Sequence, residues 1–377
     1  FGTREESTFS VGMTGTSTIG ARLFDEHDLS VSNLFLRNTD DEVSIYDYFD
    51  ENTGLSTGIG NRIYGIRYEQ RELNVVQFRG SHVLGFNTRD VLSSLPGDIG
   101  SLVSFLPEES KIEWVWSESL AETKMPNQVT GAYLTGTNLT TGAVETSAMS
   151  RDTSAVDFRF TDLEDDVVSY GWNGSIPFEV NGSILSVRFG YQHDQKLRAY
   201  EQREFGVGSS ALSAVGILGG SISEVLSDSN ITNANYGFQF GVQGQATRSY
   251  LAALMTDANY AIVDWDFSDS ITVSVGARDE YYRQVALPWD IYGYTADNPQ
   301  LPYNYVTSDT ASENAAKLAN AVFEDSGFFP AASMVYKSDW LAETFQLRLG
   351  YSSTAIRPDL REAVSYTHLR AHETQPY

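Results

Sequence analysis

Along much of the chain, apolar and polar residues alternate with a period of two. Between Thr344 and Ile356, Phe345, Leu347, Leu349 and Tyr351 fall on one side, and Gln346, Arg348, Gly350, Ser352 and Thr354 on the other. That period belongs to a half-buried strand, whose successive side chains point to opposite faces. The pattern recurs where Ile271, Val273, Val275 and Ala277 interleave with Thr272, Ser274, Gly276, Arg278 and Glu280. Leu185, Val187, Phe189 and Tyr191 likewise interleave with Ser186, Arg188, Gly190 and Gln192, and Ile112, Trp114 and Trp116 with Glu113 and Ser117. The pattern predicts about ten strands, near 8–16, 29–46, 62–84, 110–123, 167–180, 184–206, 256–267, 270–287, 328–338 and 343–357. Segment 86–106 departs from it, and its apolar patches predict a small helix or an insertion.

The connections add direction. Short turns at Val180-Asn181-Gly182-Ser183 and Phe267-Ser268-Asp269-Ser270 alternate with long polar segments at 126–160, 209–247 and 289–326. A soluble sandwich would show the same alternation within each strand. Tight turns at one end and long loops at the other are the habit of an outer-membrane barrel, and compact soluble domains seldom carry such loops. The fold expected is therefore all-β: part of an antiparallel transmembrane β-barrel, about ten strands forming an open curved sheet with long extracellular loops. Trp114, Trp116, Tyr170, Trp172, Tyr191, Trp265, Tyr281, Tyr282 and Tyr351 lie in or near strand ends, where amphipathic rings would form interfacial girdles.

Composition narrows the chemistry. The 377 residues include no Cys, which removes disulfides and thiol metal sites. The net charge of −25 argues against a phosphate-binding surface and so against nucleic acid as partner. The acids gather between apolar runs, as at Asp40-Asp41-Glu42 and Glu164-Asp165-Asp166, and read as solvated loops. Nowhere do about 18 apolar residues run together, so a membrane helix is not expected, whereas a membrane strand needs only about 9–11 alternating residues. The polar start Phe1-Gly2-Thr3-Arg4-Glu5-Glu6 carries no secretory signal, and the N-terminus reads as truncated.

A family resemblance rests on Leu347 to Glu362. There a strand ends in Tyr351-Ser352-Ser353-Thr354 and is followed by Arg357-Pro358-Asp359 and Arg361-Glu362. This resembles a signature of TonB-dependent receptors. Colinear segments resemble the same family: Arg71-Glu72-Leu73 through Gln77 to His82, Ile112-Glu113-Trp114, Asp162 to Asp165 leading to Ile176-Pro177-Phe178, Asn259 to Asp264, and Gly276 to Glu280. The resemblance covers 8–362 and implies a barrel of about 22 strands plugged by an N-terminal domain. It also implies import of a scarce nutrient, an iron chelate or a glycan fragment, with energy relayed by TonB, and a place in the outer membrane. The partners implied are outer-membrane lipid, the plug domain and TonB of a full-length parent, and a small nutrient ligand. Neither a plug domain nor a TonB-contacting segment is visible, so the chain reads as an internal piece of its parent.

Individual residues follow from that reading. Pro358 fixes φ and removes a donor, so it should hold Ile356-Arg357 extended before the chain turns outward, a structural role for the signature. Arg188, Arg278, Glu280 and Arg348 are expected to face the lumen, as wall-to-plug ion pairs or determinants of selectivity. Tyr292, Tyr294, Tyr303 and Tyr305, in a long loop, are candidates to stack on a sugar or an aromatic chelator. No nucleophile elbow, phosphate loop, metalloprotease helix or dinucleotide fingerprint occurs, and no enzyme, cofactor or metal site is expected. His27, in an expected turn, and His82, in a strand, have no partner pattern and read as structural. A non-transporting surface barrel or adhesin remains the alternative function. Residues 363–377, with His368 and His372, lose the alternation, resemble a translated sequencing adapter, and are expected to be foreign to the domain at 1–362.

Overall fold

The computed structural model describes residues 2–49, 55–94, 100, 103, 105–243, 249–289, 322–338, 345–357 and 360. The tail at 363–377 and the tyrosines at 292, 294, 303 and 305 lie outside them. Twelve strands form one sheet: β1 (Gly2–Leu23), β2 (His27–Tyr48), β3 (Ile59–Val83), β4 (Lys111–Thr137), β5 (Val144–Met149), β6 (Val156–Val180), β7 (Ser183–Gly208), β8 (Gln239–Gln243), β9 (Ser249–Ser268), β10 (Ile271–Trp289), β11 (Val322–Ser338) and β12 (Phe345–Ser352). Ten run in the order β1-β2-β3-β4-β6-β7-β9-β10-β11-β12, while β5 pairs with β4 and β8 with β7. Each neighbouring pair is antiparallel, and among the described residues β1 and β12 are open edges.

Register carries the two-residue period from strand to strand. Val187, Val263, Val275, Ala332 and Tyr351 stand opposite one another across β7, β9, β10, β11 and β12. The row beside it is Leu185, Trp265, Val273, Met334 and Leu349. The same apolar face continues through Tyr170, Trp116, Phe78, Val31 and Ile19 to the far edge. One residue out of step, Ser186, Asp264, Ser274, Ser333 and Gly350 form a row on the opposite, polar face. No second sheet covers the apolar face among the described residues, and Ile19, Phe328 and Val275 are 79%, 67% and 55% exposed. The sandwich alternative therefore fails. Most of the expected girdle lies on this face, with Trp114 opposite Trp172 and Trp172 opposite Tyr191. Tyr282 does not: it is the neighbour of Tyr281 in one strand and so must point to the polar side.

The two ends of the sheet differ. At one, β6 turns into β7 through Asn181-Gly182, both at positive φ, the conformation a two-residue hairpin requires. The β1–β2 turn (24–26), the β9–β10 turn at Asp269-Ser270 and the connection 84–110 share that end. The last contains helix α1 (Phe86–Ser93), and Arg89 on it donates to the carbonyls of Val103 and Leu106, which closes the connection on itself. At the other end lie 49–58, 138–155, 209–248 and 290–321.

Two segments expected to be loops are built differently. Much of 126–160 is strand, because β4 continues to Thr137 and β6 begins at Val156. Polar residues do not end a strand whose backbone groups remain paired to both sides. The β4–β6 ladder slips between Met125 and Gln128, where Pro126 has no N–H to give it. In 209–247 the chain forms a turn of 3-10 helix (Leu212–Ile217), then α2 (Ile222–Val225), whose Ser221 and Glu224 cap it reciprocally, then α3 (Asp228–Ile231). Ala214, Leu218 and Val225 seat this connection on Val129, Tyr133 and Val156 of the sheet.

A backbone close approach gives a test of the packing. A Cβ at Gly190 would stand 2.4 Å from the Trp172 carbonyl oxygen and 2.8 Å from the Tyr260 ring, whereas one at Gly350 would meet nothing within 4 Å. Gly190→Ala should lower the stability of the micelle-folded chain by about 1–3 kcal/mol, read from the urea midpoint of Trp fluorescence. Gly350→Ala should leave that midpoint unchanged.

Candidate functional site

Side chains that alternate strand residues throw onto one face become neighbours across the ladder, and on the polar face those neighbours are charged. Arg188 of β7 donates through Nε to Asp264 of β9 at 2.6 Å, and Asp264 also accepts the hydroxyl of Ser274 on β10. Next along the face, Arg278 of β10 reaches back over β9 to Gln192 of β7 at 3.3 Å and donates to Glu280 at 3.1 Å. Between these groups lies a recess of about 700 Å³, lined by Arg188, Tyr260, Ile262, Ser274, Arg278, Phe329, Ser333 and Ser352 among others.

The chain beyond β12 completes this surface. Ser353 extends the ladder one step by donating to the Pro330 carbonyl at 3.0 Å. Arg357 then lies over the polar face, hydrogen-bonded to Asp325 of β11, 3.6 Å from Glu280 of β10, and with its guanidinium 5.1 Å above the Tyr282 ring. Three residues on, Leu360 is wholly buried against Tyr250 and Ala252 of β9. Arg357, on β10 and β11, and Leu360, on β9, thus both rest on the polar face, where the sequence suggested a chain turning outward. Two attractions hold them there: an arginine between two carboxylates over an aromatic face, and an aliphatic side chain filling an apolar socket.

No protein-family model matches the chain, and no curated protein matches it in sequence. Solved structures do match. The ferric-catecholate import receptor Fiu from E. coli K12, in its open form, is 12% identical with a TM-score of 0.31, over 92% of this chain and 54% of that one. The unliganded ferric citrate transporter FecA is 10% identical with a TM-score of 0.29, over 88% and 42%. The siderophore receptor PiuA from Acinetobacter baumannii is 8% identical with a TM-score of 0.26, over 88% and 47%. The chain spans about half the length of these structures. Likeness at these scores decides nothing about what this chain carries.

Of the residues singled out from sequence, Arg188, Arg278 and Glu280 meet in the polar-face network. Arg348 lies on the same face but at the edge, where it donates only to its own strand's Gln346 among the contacts described. Within the signature, Tyr351 falls on the apolar face, Ser352 on the polar one, and Thr354 is exposed. Pro358, Asp359, Arg361 and Glu362 lie outside the described residues. Sequence reasoning missed Gln192, Asp264, Asp325, Tyr282 and Leu360 as members of the site. The alternation alone puts Gln192 and Asp264 on the polar face, but only the register says which arginine each one meets.

Near the long-connection end, Asp157 of β6 also faces this side. Its Oδ1 is buried without a hydrogen-bond partner, and burial, aided by the charge of Glu204, raises its pKa above the ordinary carboxylate value. A carboxylate whose folded pKa is raised destabilises the fold as pH climbs from its unfolded value through the folded one. Asp157→Asn should therefore stabilise the chain at neutral pH and do so progressively less toward pH of about 3, as urea midpoints measured across that range will show.

Proposed function

We propose that the chain is the partial wall of an outer-membrane barrel, from a TonB-dependent receptor that imports a scarce nutrient by energy-coupled transport. The observation that carries this is one sheet with an uncovered apolar band on one face and a charged network on the other. In water such a band would be a very large exposed patch. In a bilayer, lipid covers it, and the polar face lines an aqueous or plugged lumen. The strands suit that setting. At roughly 3.3 Å per residue, β1–β4, β6, β7 and β9–β11, with 17–27 residues each, run well past the 9–11 residues a bilayer needs, and project beyond it at the long-connection end.

Lipid also constrains the edges. Unpaired N–H and C=O groups on β1 and β12 are costly in hydrocarbon, so in the parent protein further strands would close the barrel. The run from Tyr351 to Glu362 supports the receptor reading, because it resembles the family signature and contains Arg357, which binds the polar face. On this reading Arg188, Arg278, Glu280 and Arg348 face the plug or water. The long connections, including 290–321 with Tyr292, Tyr294, Tyr303 and Tyr305, form the vestibule that meets an iron chelate or a glycan fragment.

The membrane placement is tested by a pair of neighbours. Val187→Arg, on the apolar face, should cost about 2–4 kcal/mol of folding stability in lipid vesicles, and Ser186→Arg, on the polar face, far less. Equal costs would contradict it. Transport is tested in the parent organism: deleting the full-length gene should abolish growth on one ferric siderophore or oligosaccharide as sole source, and the intact gene should restore it. An upstream reading frame without a plug domain would sink the receptor reading.

A further inference from the structure

At the tight-turn end, five side chains from five elements join in one hydrogen-bonded line. Trp114 Nε1 of β4 lies 3.0 Å from His82 Nε2 of β3, and His82 Nδ1 lies 3.2 Å from His27 Nδ1 at the start of β2. His27 Nε2 is 3.0 Å from the Thr88 hydroxyl of α1, which in turn donates to Glu26 of the β1–β2 turn. Glu26 also accepts the backbone N–H groups of Asn87 and Thr88, at 2.8 and 2.7 Å. It therefore caps a helix whose own N-cap residue, Gly85, has no side chain to do so.

The direction of every bond in the line is determined. An indole can only donate, so His82 Nε2 accepts and the His82 proton sits on Nδ1. That proton is given to His27 Nδ1, which leaves the His27 proton on Nε2, facing Thr88; the hydroxyl proton passes to Glu26. Both imidazoles must then be neutral. A proton added to His27 sets two N–H groups face to face across 3.2 Å, and one added to His82 does the same against Trp114. An imidazole ring is rigid, so a tilt that parts His27 from His82 also carries Nε2 away from Thr88.

The carboxylate in the line, Glu26, meets His27 only through the Thr88 hydroxyl, and the other groups around the pair are apolar or already engaged. Leu23, Leu29 and Ile112 flank the pair on the same face. On the opposite face Asp28 is engaged by Arg22 at 2.6 Å, and Lys111 by Glu113 at 2.5 Å. On α1, Arg89 is turned to the Val103 and Leu106 carbonyls, Asp90 lines the same recess as Arg89 and Val103, and Asp25 precedes Glu26 in the turn. Glu26, held at about 2 first by the Thr88 hydroxyl, stays ionised throughout the range in which histidine titrates.

We propose that His27 and His82 form a proton-sensitive latch: neutral, they fasten α1 to the tight-turn end of the sheet, and protonated, they loosen it. The test is amide hydrogen exchange of residues 86–93 in the full chain folded in micelles. Rates are corrected for intrinsic chemistry at about pH 7.5 and about pH 5.5, either side of the imidazole value. Loss of one hydrogen bond should reduce protection about tenfold at the lower pH. The double variant His27→Gln, His82→Gln should lose that dependence. Equal wild-type protection at the two pH values, or an unchanged pH response in the double variant, overturns the proposal. Should the double variant not fold, the ring nitrogen-15 shifts of the wild type decide: the latch requires His82 protonated on Nδ1 and His27 on Nε2 at the higher pH, and the opposite tautomers overturn it.

Discussion

The backbone ladder is the interaction on which everything else in this molecule depends. Each long strand has a period of two by itself, but only continuous antiparallel pairing, with its few slips absorbed locally, turns ten separate periods into two continuous faces. A slip of one residue in β9 would move Asp264 to the apolar side and Val263 to the polar one. The pairing of Val187 with Val263 and Val275, and of Ser186 with Asp264 and Ser274, is thus one fact seen from its two sides.

The ladder also explains where the structure departs from simple alternation. Where it loses a donor, at Pro126, register shifts by one residue and the faces survive, because the slip is absorbed locally. Above that point apolar residues thin out, yet the strands continue, since pairing rather than hydrophobicity satisfies their amides. Side chains that the upper wall leaves uncovered gather a different cover: the 209–238 connection sets Ala214, Leu218 and Val225 on Val129, Tyr133 and Val156. This is the larger of the two buried apolar clusters among the described residues, and it lies far along the strands from the apolar band.

Charge is distributed by the same geometry. On the polar face Arg188, Arg278 and Arg357 each have a carboxylate from the sheet, and the strongly acidic composition supplies it. Arg357 differs from the others in coming from outside the sheet. Its guanidinium enters a site made by β10 and β11, and Leu360 beyond it fills a socket on β9. Arg357 and Leu360 thus set one cation and one aliphatic side chain against the polar face.

How much of this was legible beforehand follows the range of the forces involved. The ten strands of the main path and their approximate places, the tight turns at Asn181-Gly182 and Asp269-Ser270, the helix inside 86–106 and the polar side of Arg188, Arg278 and Glu280 depend on residues close in sequence and so could be read from it, whereas β5 and β8, which pair only with the upper ends of β4 and β7, could not. Tyr282 was misread because proximity to Tyr281 suggested a shared girdle, while adjacent strand residues must diverge. The ends of β4 and β6 were misread because pairing continues through polar residues. What only the tertiary structure decided were the meetings of distant residues: Arg278 with Gln192, Arg357 with Glu280, Asp325 and Tyr282, and His27 with His82. Each depends on the register between strands tens of residues apart, and register is a property of the assembled ladder that no local stretch of chain contains.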